Sequence, residues 1–162
     1  MSKPRKRYRQ KPVNPNVLAL ASIGQSKLTP EDQEERIAPA RIGLEQIAKG
    51  HASQADWQSI FDVINMLDRF VRMPTVMRHG KDYLNTMQGV VVKILDRQKA
   101  TGTKTLYPGE LNDLKGLIDL WAELLSTVTH REYSLAEERA HARLVSVLRS
   151  RKPVPGVRVC EA

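Results

Sequence analysis

The feature that most constrains this chain is the spacing of its apolar residues, which recur every three or four positions in several separate segments. The clearest segment contains Trp57, Ile60, Phe61, Ile64, Leu67 and Val71. Two more have the same spacing, one with Leu84, Met87, Val91, Ile94 and Leu95 and one with Leu111, Leu114, Ile118, Trp121, Leu125 and Val128. This spacing is typical of amphipathic helices. The sequence therefore predicts an all-α fold, an antiparallel bundle of four to five helices.

Capping patterns predict where these helices begin and end. Ser53-x-x-Asp56 and Ser134-x-x-Glu137 are capping-box patterns, and the second predicts a final helix that runs to about Ser150. An earlier helix is expected from Pro30, where Pro39 predicts either two short helices, at 30–37 and 39–49, or one kinked helix. The remaining expected boundaries are a stop at Gly102 and a start at Pro108.

The charge is unevenly distributed along the 162 residues, which carry 26 Lys and Arg against 18 Asp and Glu, a net charge of +8. Residues 1–11 hold six basic residues and no acid, and residues 139–162 hold six basic residues and one acid. The segment between them has 14 basic and 17 acidic residues. We therefore expect three parts: an extended basic arm at 1–28, a helical bundle domain at 29–152 and an irregular tail at 153–162. Basic ends on a slightly acidic body favour a polyanionic or acidic partner.

Reaction chemistry has no support in the sequence. The single cysteine, Cys160, allows neither an intramolecular disulfide nor a multi-cysteine zinc site. The chain has no phosphate-binding glycine loop and no nucleophile-elbow pattern. Glu138-x-x-His141 has the spacing of half a bundle metal site, but a second such pair is missing. We expect no catalytic residue, no metal and no cofactor. No apolar run reaches the length of a membrane span, so a membrane partner is not expected.

The basic arm is the most informative segment. Its candidate binding residues are Lys3, Arg5, Lys6, Arg7, Tyr8, Arg9 and Lys11. The six cations repel one another, so the arm is expected to stay extended until an anion compensates their charge. The cations would contact phosphates, and Tyr8 would stack on a base or a sugar. The alternatives are a solubilising tail and a nuclear import signal.

Two further basic clusters follow along the chain. In the last helix, Arg139, Arg143 and Arg149 are candidate contacts to nucleic acid or to a protein partner, and Arg139 and Arg143 lie one turn apart. A smaller cluster near the end of the Trp57 helix contains Arg69, Arg72, Arg78, His79 and Lys81. No helix-turn-helix pattern is present, so sequence-specific DNA recognition is not predicted.

The arm, Lys-Pro-Arg-Lys-Arg-Tyr-Arg-Gln-Lys-Pro-Val, and the Pro-Gly-Glu-Leu-Asn segment at 108–112 resemble small basic-armed helical proteins of proteobacterial phages and prophages. That group has no assigned activity. The resemblance implies a bacterial cytosol, which disfavours the import signal, and a role in host takeover through nucleic-acid machinery.

Two functions follow as hypotheses. The first is a non-enzymatic nucleic-acid-associated regulatory protein that binds the phosphate backbone without sequence specificity. The second is a protein-binding inhibitor or adaptor of host nucleic-acid or defence machinery. Some anti-CRISPR proteins work in this way as a class. Homo-oligomerisation is compatible with either, because Leu120 broadens the apolar face of its helix.

Overall fold

A computed structural model of the chain describes residues 24–73, 76–77 and 80–150, with side chains described as far as Ser146. These residues form five helices: α1 (Pro30–Ala48), α2 (Gln54–Val71), α3 (Lys81–Thr101), α4 (Pro108–Thr127) and α5 (His130–Ser150). Apart from an isolated bridge between Lys27 and Thr129, the described part has no β-structure. The predicted all-α bundle is confirmed. The arm upstream of residue 24 and the tail after 150 lie outside the described residues.

The central element is α2, which packs against each of the other four helices. Three consecutive pairs, α1–α2, α2–α3 and α3–α4, pack side by side across short connections, and α1 also packs on α4. The α4–α5 connection is different. Only Val128 and Thr129 separate these helices, yet α5 packs along α2 instead of α4. This departure from the regular up-and-down order places the middle of α5 beside the C-terminal half of α2.

The core is apolar and contains most residues of the predicted stripes, together with Phe70 and Leu117, which those stripes did not include. Its largest fully buried side chains are Phe70, Ile47, Ile60, Leu67, Ile94, Leu114, Leu117, Leu125, Val91 and Val128. Phe70, Trp121 and Tyr133 form a triangle of rings with centroids 6.2–6.4 Å apart. Because these rings come from α2, α4 and α5, the triangle attaches α5 to the bundle.

Several helix boundaries agree with the prediction. Thr29 and Ser53 cap α1 and α2, in reciprocal pairs with Asp32 and Asp56. Gly102 ends α3 in the left-handed conformation, with φ 71°. Of the two alternatives predicted at Pro39, the structure has the single helix, which continues through Pro39, and not two short helices.

The predicted start of α5 is wrong. Ser134 lies inside α5, and the capping pair is Thr129 with Glu132: the Thr129 N–H donates to Glu132 Oε2 (2.9 Å), and the Glu132 N–H donates to Thr129 Oγ1 (3.2 Å). Both strings fit the capping pattern. The one at Thr129 directly follows Val128, whose extended backbone has already ended α4, so the helix starts at the first suitable cap.

The packed part of the chain begins before the predicted boundary at residue 29. Leu28 is buried in the core, and its N–H donates to the Val128 carbonyl (3.3 Å). The His130 N–H donates to the Ser26 carbonyl (3.0 Å). Residues 26–28 therefore brace the corner between α4 and α5.

A candidate phosphate-binding site between α2 and α5

Three arginines surround one carboxylate near the C-terminal end of α2. Arg72 donates from Nε and Nη2 to the two oxygens of Asp68, at 3.1 Å each. Arg69 Nη2 lies 3.1 Å from Asp68 Oδ2, and Arg143 Nη1 on α5 donates to the same oxygen at 3.3 Å. We call these four residues the Asp68 arginine cluster.

The local part of this cluster follows from helical spacing. Arg72 lies four residues after Asp68, so the two side chains share one face of α2. Arg143 is 75 residues away in the chain and reaches Asp68 only because α5 packs along α2. The Asp68 arginine cluster therefore brings together arginines from two basic clusters of the sequence, the one in the last helix and the smaller one near the end of the Trp57 helix.

One carboxylate cannot neutralise three guanidinium groups, so the cluster carries an excess of two positive charges (three minus one). Burial lowers the pKa of Arg69, and although Asp68 opposes that effect, the charges of Arg143 and Arg72 lower it further. By contrast, the hydrogen bonds and charge of Asp68 raise the pKa of Arg72, which is more exposed. The side chain of Arg69 is only 12% exposed, and its buried Nε has no hydrogen-bond partner among the described residues. An additional anion would relieve this repulsion.

A groove of about 400 Å³ runs beside the cluster between α2 and α5. Arg69, Arg143 and His141 supply its cationic and titratable lining, while Asp62 and Glu137 supply carboxylates. The remaining lining is Gln58, Asn65, Met66, Tyr133, Ala140 and Leu144. The groove is mixed in polarity, so an anion is favoured at its arginine end and not along its whole length.

The structure separates the predicted site residues of α5. Arg143 is half-buried in the cluster, whereas Arg139, one turn earlier, is exposed and forms no ion pair with any described residue. Arg149 lies on α5, but its side chain is outside the described part. The predicted arm residues also lie outside the described residues: Lys3, Arg5, Lys6, Arg7, Tyr8, Arg9 and Lys11.

Arg69 and Arg72 were not among the predicted binding residues. The sequence signal for them was present, since both sit within four residues of Asp68 in a recognised basic cluster. From helical spacing alone, Asp68 and Arg72 would be interpreted as an ordinary surface ion pair. The third arginine, which leaves the carboxylate outnumbered, comes from the packing of α5.

Other kinds of site find little support in the described part of the chain. There, no group of three or more His, Cys, Asp or Glu side chains has the geometry to hold a metal ion. No helix of residues 24–150, within the described ranges, is both long and apolar enough to cross a membrane. Comparison with known protein families, with curated proteins and with solved structures finds no match for this chain.

Proposed function

We propose that this chain is a non-enzymatic protein that binds the phosphate backbone of nucleic acid. Its contacts would be the basic N-terminal segment, residues 3–11, together with the Asp68 arginine cluster and with Arg139 and Arg149 of the same helix as Arg143. The observation that carries the proposal is the arrangement of three arginines on one carboxylate. A planar guanidinium group can donate two parallel hydrogen bonds to two oxygens of one phosphate, so arginines are well suited to bind this ligand.

The proposal predicts a strong dependence on salt. Each cation that contacts a phosphate releases condensed counterions, so six arm contacts alone give a log–log slope of about −5. Affinity would fall by roughly three orders of magnitude between about 50 and 200 mM salt. Contacts of this kind position a protein on a strand without reading its bases. We therefore expect little difference between sequences of equal length.

Fluorescence anisotropy with labelled duplex DNA and RNA, titrated across that salt range, tests the proposal. Two variants of the full chain locate the contacts. In the first, the six arm cations become Gln, which keeps the length of the segment. In the second, Arg72→Gln removes one guanidinium from the cluster. The matched control is Arg41→Gln, because Arg41 is similarly exposed (53% against 58%) and donates to both oxygens of Glu34 at 2.9–3.0 Å.

The expected result is a large loss of affinity in the arm variant and a reduction of the salt slope by about 1 for Arg72→Gln. Arg41→Gln lowers the net charge equally but on α1, so it should leave the slope nearly unchanged. Equal effects of Arg72→Gln and Arg41→Gln would mean that only the overall charge matters. Negligible binding of every nucleic acid at about 50 mM salt would overturn the proposal.

One observation favours a second candidate, a protein-binding inhibitor or adaptor. Leu144 is 49% exposed at the rim of the α2–α5 groove, close to Met66. Exposed apolar side chains surrounded by polar and charged groups are the composition of many protein-binding surfaces. Affinity purification from a nuclease-treated bacterial lysate separates the two functions. A stoichiometric protein that stays bound to the wild type and is lost from Leu144→Lys favours the adaptor, and loss of all partners with nuclease favours nucleic acid.

A further inference from the structure

An exposed aromatic ring stands at the opposite end of the bundle from the Asp68 arginine cluster. Tyr107 precedes α4 and is 59% exposed. One face of its ring is covered by the guanidinium of Arg97, whose Cζ lies 4.1 Å from the ring centroid. The exposed area of Tyr107 therefore belongs mainly to its other face and its edge.

Hydrogen bonds of Arg97 and Glu110 hold the ring of Tyr107 in place. Arg97 Nη2 donates to Glu110 Oε2 (2.6 Å) and to the Thr105 carbonyl (3.1 Å), which joins α3 to the connection before α4. The same Glu110 oxygen accepts the Tyr107 N–H (2.8 Å). Two other nitrogens of Arg97, Nε and Nη1, are buried without a hydrogen-bond partner among the described residues, as expected for a guanidinium stacked on a ring. Tyr107 is thus a fixed platform.

Exposed lysines lie on the elements that carry this platform, and the exposed carboxylate of Asp96 lies on α3 beside Arg97. Lys93 lies one turn before Arg97 on the same face of α3 and is exposed, as is Lys104 in the connection to α4. Gln98 Nε2 donates to the Lys104 carbonyl (3.0 Å) and so holds that connection against α3. The nearby carboxylate of Glu110 is already paired with Arg97.

Tyr83 provides the contrast within the same protein. It is 37% exposed at the start of α3. Burial raises the pKa of its hydroxyl, and the carboxylates of Asp113 and Asp119 raise it further. A nucleic-acid strand would be repelled there and attracted at Tyr107.

We propose that Tyr107 is a stacking site for a base of single-stranded nucleic acid, with Lys93 and Lys104 contacting the flanking phosphates. The inference rests on the proposed nucleic-acid function and adds to it a site that only unpaired strands occupy. Bases in a duplex are already stacked, whereas unpaired bases stack readily on exposed aromatic rings whatever their sequence. The site is separate from the Asp68 arginine cluster. A Cβ on Gly50, just before α2, would lie 3.7 Å from Thr105 Cγ2 at this site, and about 22 Å of helix α2 lies between Ser53 and Asp68.

The test uses the full chain and an oligouridine of about 12 nucleotides that carries photoreactive iodouridine. Cross-linking followed by peptide mass spectrometry locates the contacted side chain. In parallel, anisotropy measures the affinity for this strand and for a duplex of equal length. The variants are Tyr107→Leu, Tyr107→Trp and the control Tyr83→Leu, and thermal melting checks that each is folded.

The expected cross-link is to Tyr107. Tyr107→Leu should weaken single-strand binding about 5- to 100-fold and leave duplex binding unchanged, while Tyr107→Trp retains the affinity. Absence of a cross-link to Tyr107 while other residues are cross-linked, or equal affinities for Tyr107→Leu and wild type, would overturn this inference and leave the proposed function standing. Absence of binding by the wild type to both strand and duplex would overturn both.

Discussion

At the residue scale, the close packing of α1 on α2 depends on a residue that has no side chain. Gly43 of α1 is buried against α2, and a Cβ at this position would lie 2.4 Å from Ser59 Oγ and 2.8 Å from the Asp56 carbonyl oxygen. Ser59 could rotate away, but the backbone at Asp56 is fixed by the cap of α2. Gly89 of α3 is the opposite case, since a Cβ there would meet no atom within 4 Å.

These two glycines give opposite expectations for the same substitution. Gly43→Ala should lower the free energy of unfolding by about 1–3 kcal/mol, because the new methyl forces α1 and α2 apart. Gly89→Ala should raise it by up to about 1 kcal/mol, because alanine favours the helix and meets no obstacle. Urea denaturation monitored by circular dichroism measures both. Equal effects at the two positions would contradict the close packing of α1 on α2.

At the element scale, three of the five helices begin with a reciprocal pair between a hydroxyl and a carboxylate. The pairs are Thr29 with Asp32, Ser53 with Asp56 and Thr129 with Glu132. In each pair the carboxylate accepts the N–H of the capping residue, and the hydroxyl oxygen accepts an N–H of the first turn. Such pairs satisfy donors that have no partner within the helix.

The start of α5 can be checked by substitution. Thr129→Ala should lower the free energy of unfolding by about 1 kcal/mol, because it removes the cap. Ser134→Ala should change it by less than about 0.5 kcal/mol, because Ser134 is an exposed position inside the helix. Thermal denaturation of the two variants is the measurement. A larger loss of stability for Ser134→Ala than for Thr129→Ala would instead support the start of α5 that the sequence predicted at Ser134.

The caps also predict a loss of stability in acid. Hydrogen bonds from Thr29 and Ser53 lower the pKa of Asp32 and Asp56, respectively, below the ordinary value of 3.8. Because the folded state holds these carboxyls deprotonated, their contribution is complete above that value and is lost as the pH falls through the lower, folded pKa.

Melting temperatures measured between about pH 7 and pH 3 should therefore drop most steeply below about pH 4. The double variant Asp32→Asn, Asp56→Asn should show a shallower drop, because two of the titrating groups are gone. The control is Asp62→Asn, whose carboxylate accepts the side-chain amide of Gln58 (2.8 Å). If the double variant and the control had the same pH dependence as the wild type, the caps would not be the source of the loss of stability in acid.

At the scale of the whole molecule, the packing of α5 determines where positive charge is concentrated on the described bundle. It packs mainly along α2, and its Arg143 joins Arg69 and Arg72 at Asp68. Asp68 therefore has two opposite effects. It stabilises the junction of α2 and α5, and it neutralises part of the surface that we propose binds phosphate.

Asp68→Asn separates these effects. The unfolding free energy should fall by about 1–3 kcal/mol, because three arginines lose their shared carboxylate. The affinity for nucleic acid at low salt should rise, because the local charge increases from +2 to +3. Thermal melting and anisotropy measure the two quantities. Glu34→Gln is the control, since it removes one carboxylate from the exposed pair with Arg41 and changes the net charge equally; the same gain in affinity there would argue against a local site.

The sequence by itself determined the all-α class, the starts of α1, α2 and α4, the end of α3 at Gly102, most of the buried stripes and the uneven charge. These properties depend on residues within about four positions of one another, as caps and helical periodicity do. The four-residue spacing of Asp68 and Arg72 is also local, although their ion pair was not among the predictions.

Only the tertiary structure decided which distant side chains meet. Arg143 is 75 residues from Asp68, and Arg97 reaches Glu110 and Tyr107 only where α3 and α4 pack together. Such contacts depend on how far each helix is rotated and where it crosses its neighbour. Those quantities are set by the packing of the whole core, including the triangle of Phe70, Trp121 and Tyr133, and no local spacing in the sequence contains them.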